Sequence, residues 1–475
     1  MASDICQLSA VELARLIRAK TLSAREVVGA HLAQIERVNS GVNAIVTLVA
    51  DQAMERARLA DEDLANGREI GALHGLPIAH KDLQPTNGIR TTFGSPIYRD
   101  FVPAEDSLLV ERLHHAGAIV VGKTNTPEFG AGSQTFNPVF GATLNPYDRG
   151  KTCGGSSGGA AVALATNMLP IADGSDMGGS LRNPASFCGV VGLRPSPGRV
   201  PVWPTPTAWS TLSVDGPMAR SVADVALMLS GIAGPDARSP IAIHGSGSRF
   251  SAPLERDFTG VRVAWWKDLG GVPVDRRVRA AVDAQRRVFE ALGCIVDDAE
   301  PDFSDFDAVF KTVRALAFLT GVAPRVDGHR DQVKETILWE IERGERLTVA
   351  EIAWAETKRT ELYHRMRRFM ERYDFFVLPT VQVPPFDINQ PYPTEIDGVA
   401  METYIDWMKS CYYISIVGNP AISLPCAFTP EGLPVGLQIV SGHRDDWGLL
   451  QIAHAFEGAA AVRRPGTPDL ESRPR

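Results

Sequence analysis

The chain has 475 residues, 44% of them hydrophobic and 22% charged, with a formal net charge of -8 and a pI near 5.8. This is the balance of a soluble globular protein with a large core, and its acidic excess argues against nucleic acid as the main partner. No run of about 18 apolar residues could span a membrane, and no basic segment followed by an apolar one opens the chain.

Six scattered cysteines (Cys6, Cys153, Cys188, Cys294, Cys411, Cys426) form no C-x-x-C pair. A disulfide framework or structural zinc site is not expected, and a reducing, cytoplasmic setting is. No cofactor or metal site is read from the sequence. The basic cluster Arg365-Met-Arg-Arg368 falls at helical spacing among Tyr363, Phe369 and Met370, and reads as an exposed helix face.

Residues 8–39 predict two helices. Ser9-Ala-Val-Glu12 and Ser23-Ala-Arg-Glu26 are capping boxes, followed by Leu13, Leu16 and Ile17, then Val27, Val28, Leu32 and Ile35, near helical period. A third helix is predicted over 49–66. Gly75-Leu-Pro-Ile-Ala-His-Lys81-Asp82 then reads as a short apolar strand ending in a lysine, with a Pro/Asn/Gly loop behind it. Period-two alternation places His80 and Lys81 on opposite faces, so His80 reads as structural.

After a helix over 107–116, Gly117-Ala-Ile-Val-Val-Gly122-Lys123-Thr124 fits the phosphate-loop pattern G-x-x-x-x-G-K-[ST] letter for letter. Its variable positions are those of a buried strand, and Asn125-Thr-Pro127 is a poor start for a phosphate-holding helix. Strand and turn is the expectation.

Two glycine-walled serine loops follow. One is Cys153-Gly-Gly-Ser156-Ser157-Gly-Gly159, and the other is Asp173-Gly-Ser175-Asp176-Met177-Gly-Gly-Ser180-Leu-Arg182. Glycines beside a small hydroxyl let backbone N–H groups crowd a reacting atom, as a nucleophile with an oxyanion pocket requires. The first loop satisfies G-x-S-x-G, yet no apolar strand precedes it, so a nucleophile elbow is not expected. Cys153 has no base beside it and reads as a small buried residue.

Leu169–Ala172 and Val190–Arg194 read as strands, 195–209 as a Pro-rich loop near the chemistry, and Ser221-Val-Ala-Asp224 as a helix cap. After a polar linker over about 236–256, Val261–Trp266, a helix from Asp275 to Leu292, and Cys294–Asp298 make a βαβ-like unit. A long amphipathic region fills 305–373, Tyr373–Pro379 is a strand, and 384–403 is loop. Ala421–Pro425 and Val435–Val440 form a hairpin, closed by a helix from Trp447 to Glu457. No internal repeat is apparent.

The two serine loops, Lys81 in its Gly-Leu-Pro-Ile-x-x-Lys-Asp setting, and the tail Gly418-Asn-Pro-Ala-Ile-Ser-Leu-Pro425 with Gly432-Leu-Pro-Val-Gly-Leu-Gln438 resemble the amidase signature family of serine hydrolases. Gly122-Lys-Thr-Asn, Asn145-Pro-Tyr and Gly216-Pro-Met-Ala-Arg220 extend the match. The resemblance implies an α/β fold, a large mixed twisted β-sheet covered by helices on both faces, as one domain over 1–475. Its motif-bearing core is 5–235 and 373–457, and 236–372 is a variable lobe lining or covering the substrate pocket.

The resemblance further implies Ser180 as nucleophile, Ser156 as a bridging serine held by a cis peptide, and Lys81 as base. Backbone N–H groups of Met177, Gly178, Gly179 and Ser180 would form the oxyanion hole. Asp82 is expected to point away from Lys81, and Asp176 to brace its loop. Arg182 either binds a substrate carboxylate or supports the loop, and Arg199, Trp203 and Trp209 are candidate pocket walls.

The implied activity is amidohydrolysis of a small amide or carbamate through an acyl-enzyme. The Asp176–Ala185 wording is similar to the bacterial branch of nylon-oligomer and urethane hydrolases. The alternative is the glutaminase component of a tRNA-dependent amidotransferase. A homodimer is left open.

Overall fold

The computed structural model describes residues 2–460 and 462. Two sheets organise it. The small one contains β1 (Ile45–Leu48), β2 (Pro77–Lys81) and β3 (Ile119–Thr124), with β3 in the middle, antiparallel to β1 and parallel to β2.

The large sheet has eight strands. In chain order these are β4 (Ile171–Asp176), β5 (Val191–Arg194), β6 (Val214–Ala219), β7 (Arg262–Trp265), β8 (Ile295–Asp298), β9 (Phe375–Pro379), β10 (Ala421–Phe428) and β11 (Pro434–Ser441). Their spatial order is β8-β7-β9-β11-β10-β5-β6-β4. Only β8 with β7 and β7 with β9 run parallel, so the sheet is mixed, as expected, and helices surround it.

β11 is buried along its whole length, which explains its near-continuous apolar run around a single Gln438. β2 is buried throughout as well, so its polar members, His80 and Lys81, must find partners inside.

Local chemistry sets the helix starts. Ser23 and Glu26 form the reciprocal capping box at the Ala24–Val38 helix. At Ser9 only half of the box forms, because Glu12 turns to Arg15 at 2.8 and 2.7 Å instead of reaching back. The helix expected over 275–292 is two, Arg276–Asp283 and Arg286–Ala291, broken by a turn.

The 236–372 segment does not stand apart from the body. It supplies β7 and β8, the far edge of the large sheet, with Phe375, Phe376 and Val377 of β9 paired to Val263, Ala264 and Trp265. It also supplies the Phe306–Gly321, Glu335–Glu345 and Val349–Met370 helices.

The phosphate-loop lookalike is strand. Lys123 of β3 is fully buried, its Nζ donating to the Gln84 carbonyl and to Thr86 and Thr91 hydroxyls at 2.8 and 3.1 Å. The ammonium thus ties down the loop after β2, and has no face left for a phosphate.

Candidate active site

β2 delivers Lys81 into the interior, where Nζ lies 2.7 Å from Ser156 Oγ, 3.0 Å from Ser157 Oγ and 3.0 Å from Ser175 Oγ. Among the described residues no carboxylate pairs with this ammonium. Burial pushes Lys81 from its usual 10.5 down to about 7, against the opposing pull of Asp215, Asp173 and Asp176.

Asp82 turns away, as expected, accepting from the backbone N–H and hydroxyl of Thr92. Cys153 is buried, and burial lifts its thiol to about 12, so it offers no thiolate.

The first serine loop is held from both sides. The Gly155–Ser156 peptide is cis. Ser133 Oγ donates to the Gly155 carbonyl at 2.5 Å and Thr135 Oγ1 to that of Gly154 at 2.9 Å. The helix Gly158–Ala165 starts at once behind Ser157, and a Cβ on Gly159 would meet Asn125 N at 2.4 Å. Glycine is required there by close approach of backbone to backbone.

The second loop leaves the end of β4 and closes into the Arg182–Cys188 helix. Asp176 organises it: its carboxylate accepts from Gly179 N at 2.8 Å, Leu181 N at 3.2 Å, Arg182 and Arg194. Burial alone would raise its pKa, but the Arg182 and Arg194 guanidiniums hold it well below the usual carboxylate range.

Of the four N–H groups expected to form an oxyanion hole, that of Gly179 is therefore spent on Asp176. Those of Met177, Gly178 and Ser180 have no acceptor among the described residues. Gly179 itself sits at φ 123°, a conformation that favours glycine.

Ser180 and Ser156 open onto one cavity of about 140 Å³, shared with Ser175, Met177 and Gly178. Its other walls are mostly apolar and include Leu83, Phe129, Phe318, Val322 and Met408. Arg314 also lines it, buried, with Nε on Glu340 at 2.7 Å and Nη2 on the Tyr404 hydroxyl at 2.7 Å.

Four expected pocket residues lie elsewhere. Arg182 is fully buried behind the loop, and its five N–H donors are taken by Asp176 (twice), Cys411 O, Gln438 Oε1 and Ser415 Oγ. It supports the loop and has no donor left for a substrate. Arg199 pairs with Asp446 at 2.9 Å and lies over Phe250, Trp203 stacks under Arg238, and Trp209 is 79% exposed. None of the four lines the cavity.

Sequence reasoning missed Ser157, Ser175, Asp173 and Asp215 around the lysine, and Arg314 in the wall. One signal was available, since Asp173 and Ser175 alternate on a strand and so share one face, the face turned to Lys81.

A family model described as Amidase matches residues 26–450. The chain belongs to the amidase family. It is 35% identical to an acylamidase of Rhodococcus erythropolis over 95% of each chain. It is 37% identical to the glutamyl-tRNA(Gln) amidotransferase A subunit from Synechococcus sp. (strain CC9605), over 93% of this chain and 94% of that one.

Among solved structures, a bacterial aryl acylamidase of the amidase signature enzymes superposes with a TM-score of 0.90 at 28% identity, covering 98% of this chain and 99% of that one. A 6-aminohexanoate cyclic dimer hydrolase bound to its substrate gives 0.88 at 28% identity, covering 98% and 100%. As an amidase this chain is a hydrolase of amide C–N bonds, and its likeness extends to the 6-aminohexanoate cyclic dimer hydrolase.

Proposed function

We propose that this amidase cleaves a small amide or carbamate by acyl transfer to Ser180, with Ser156 as proton bridge and Lys81 as base. The observation that carries this reading is the 2.7 Å contact between Ser156 Oγ and a buried lysine with no carboxylate partner, in the cavity wall that also presents Ser180.

A serine is a poor nucleophile without a base, and a lysine is a base only when neutral. Burial supplies the neutral form near pH 7. Neutral Lys81 takes the Ser156 proton as Ser156 takes that of Ser180, whose oxygen attacks the carbonyl carbon. The resulting oxyanion meets the N–H groups of Met177, Gly178 and Ser180, each worth about 3–4 kcal/mol in such pockets. The Lys81 ammonium then returns a proton through Ser156 to the leaving nitrogen, the C–N bond breaks, and water releases the acid from Ser180.

The cavity bounds the substrate. At about 140 Å³ it is close to the roughly 150 Å³ that takes up a benzene molecule. An aryl or short alkyl group fits, and a longer amide oligomer would enter one repeat at a time.

Ser180→Ala is expected to abolish labelling by a fluorophosphonate and all amide turnover, with an unchanged circular dichroism spectrum. Residual turnover in that variant would remove Ser180 as nucleophile. The second reading, a glutaminase component of an amidotransferase, draws on the 37% identity to such a protein over most of the chain. It requires glutamine turnover that depends on added partner proteins. Hydrolysis of anilides, alkyl amides or carbamates by the purified chain alone decides for the first reading.

A further inference from the structure

Behind the lysine lies a buried arrangement that the acyl-transfer steps do not use. Asp173 of β4 is fully buried, and its two oxygens grip two successive residues of β2. Oδ1 accepts from the backbone N–H of Lys81 at 2.7 Å, and Oδ2 faces Nδ1 of His80 at 2.5 Å. An ionised carboxylate only accepts, so Nδ1 carries the proton and donates. His80 Nε2, also buried, has no hydrogen-bond partner among the described residues. Its neighbour is His114, ring to ring at 6.2 Å, which pairs with Asp106 at 3.2 Å and lines a separate cavity of about 320 Å³.

This arrangement bears on the reaction in two ways. A strand whose backbone is pinned presents its side chain at a fixed height, and displacement of a reacting group by about 1 Å can cost a hundredfold in rate. A bare carboxylate near Lys81 would also favour the ammonium over the amine, the opposite of what a base needs.

We propose that His80 and Asp173 are positioning residues for Lys81: Asp173 pins the β2 backbone under the base, and the His80 N–H spreads the carboxylate's charge so that the amine stays neutral. This inference rests on the reading of Lys81 as base.

The charged groups around the pair fix the sign of its effect. Lys81 faces Asp173 and Asp176 from β4 and Asp215 from β6, all favouring its charged form against burial. Asp173 is also felt by Lys123 of β3 and by Asp215, whose carboxyl burial lifts to about 7 with Asp173 adding to the rise. His114, with Asp106 and Arg56 near it, faces His80 from the Leu108–His115 helix. Substitution at Asp173 removes an anion from this set. Substitution at His80 removes the donor that tempers it.

The test is the pH dependence of Ser180 acylation by a fluorophosphonate, which needs no knowledge of the substrate. In the wild type the rate is expected to rise with pH through about 7, as Lys81 becomes neutral. Asp173→Asn, which keeps an acceptor oxygen but loses the charge, is expected to move this rise to lower pH by about one unit. His80→Leu is expected to move it to higher pH, and His80→Gln, which can still donate, to return it towards the wild-type position. Thermal melts and circular dichroism of each variant confirm that the fold is intact.

A purely structural pair would lower the rate or the melting temperature and leave the rise where it was; that result overturns the inference. Equal profiles for His80→Leu and His80→Gln overturn the donor role. Absence of labelling in the wild type overturns the nucleophile reading and this inference with it.

Discussion

Lys81 is held by three hydroxyls and, among the described residues, by no ion pair, which is the reverse of how a buried lysine is normally kept. Charge is disfavoured at that position and proton exchange is not. Removing it has a specific signature. Lys81→Ala is expected to slow amide hydrolysis by about 10²–10⁴-fold. The loss should be smaller for activated esters, whose leaving groups need no returned proton, so an equal loss on both would remove the role in leaving-group protonation.

The same group sets a stability slope. Between about 7 and 10.5 the unfolded chain binds the lysine proton and the folded one does not, so Lys81's contribution rises with pH across that window. Lys81→Met is expected to flatten the rise of melting temperature with pH relative to wild type over that range. Parallel curves would show that Lys81 titrates in the folded protein as it does in the open chain.

At the level of elements, the turn between β4 and the Arg182–Cys188 helix depends on one buried carboxylate shared by two arginines. Arg182→Leu would leave Asp176 with Arg194 alone and strand Gln438 Oε1 inside the sheet. Breaking a buried pair of this kind costs about 3–5 kcal/mol. The expected outcome is a clear fall in melting temperature together with a fall in kcat, since the N–H groups of Met177, Gly178 and Ser180 would lose their alignment. A stable variant with wild-type kcat and a raised KM for carboxylate-bearing substrates would restore Arg182 as a substrate contact.

This turn also shows how far the sequence could be read. Glycines and hydroxyls announced the loop because their backbone consequences are local, and the bracing role of Asp176 followed from its place in it. The side of the loop on which Arg182 falls depends on Cys411, Ser415 and Gln438, more than two hundred residues away. Period-two alternation separated His80 from Lys81 correctly, yet it could not show that Asp173 joins them, because β4 meets β2 only in the folded chain. Trp203 and Trp209 looked like pocket walls for want of any local cue that the loop carrying them turns outward.

Across the whole molecule, the reaction centre is assembled from segments that differ in how much chemistry they show. The residues before 236 provide Lys81 and both serine loops. The 236–372 segment, which carries no motif, provides Arg314, Ala317, Phe318 and Val322 to the wall of the same cavity. The candidate catalytic groups thus come from one part of the chain, and the cavity wall is shared between that part and the 236–372 segment. Phe318, only 4% exposed, stands where the wall faces the serines' cavity. Phe318→Ala would enlarge that space at a stability cost of about 3–5 kcal/mol. It is expected to raise kcat/KM for amides with acyl or aryl groups too bulky for the native cavity, while lowering it for the smallest ones. A series of anilides and alkyl amides of increasing size, run on both proteins, checks this. If the order of preference is the same in the two, the segment does not set the size limit, and selection must lie with the residues around Leu83 and Phe129 on the motif-bearing side.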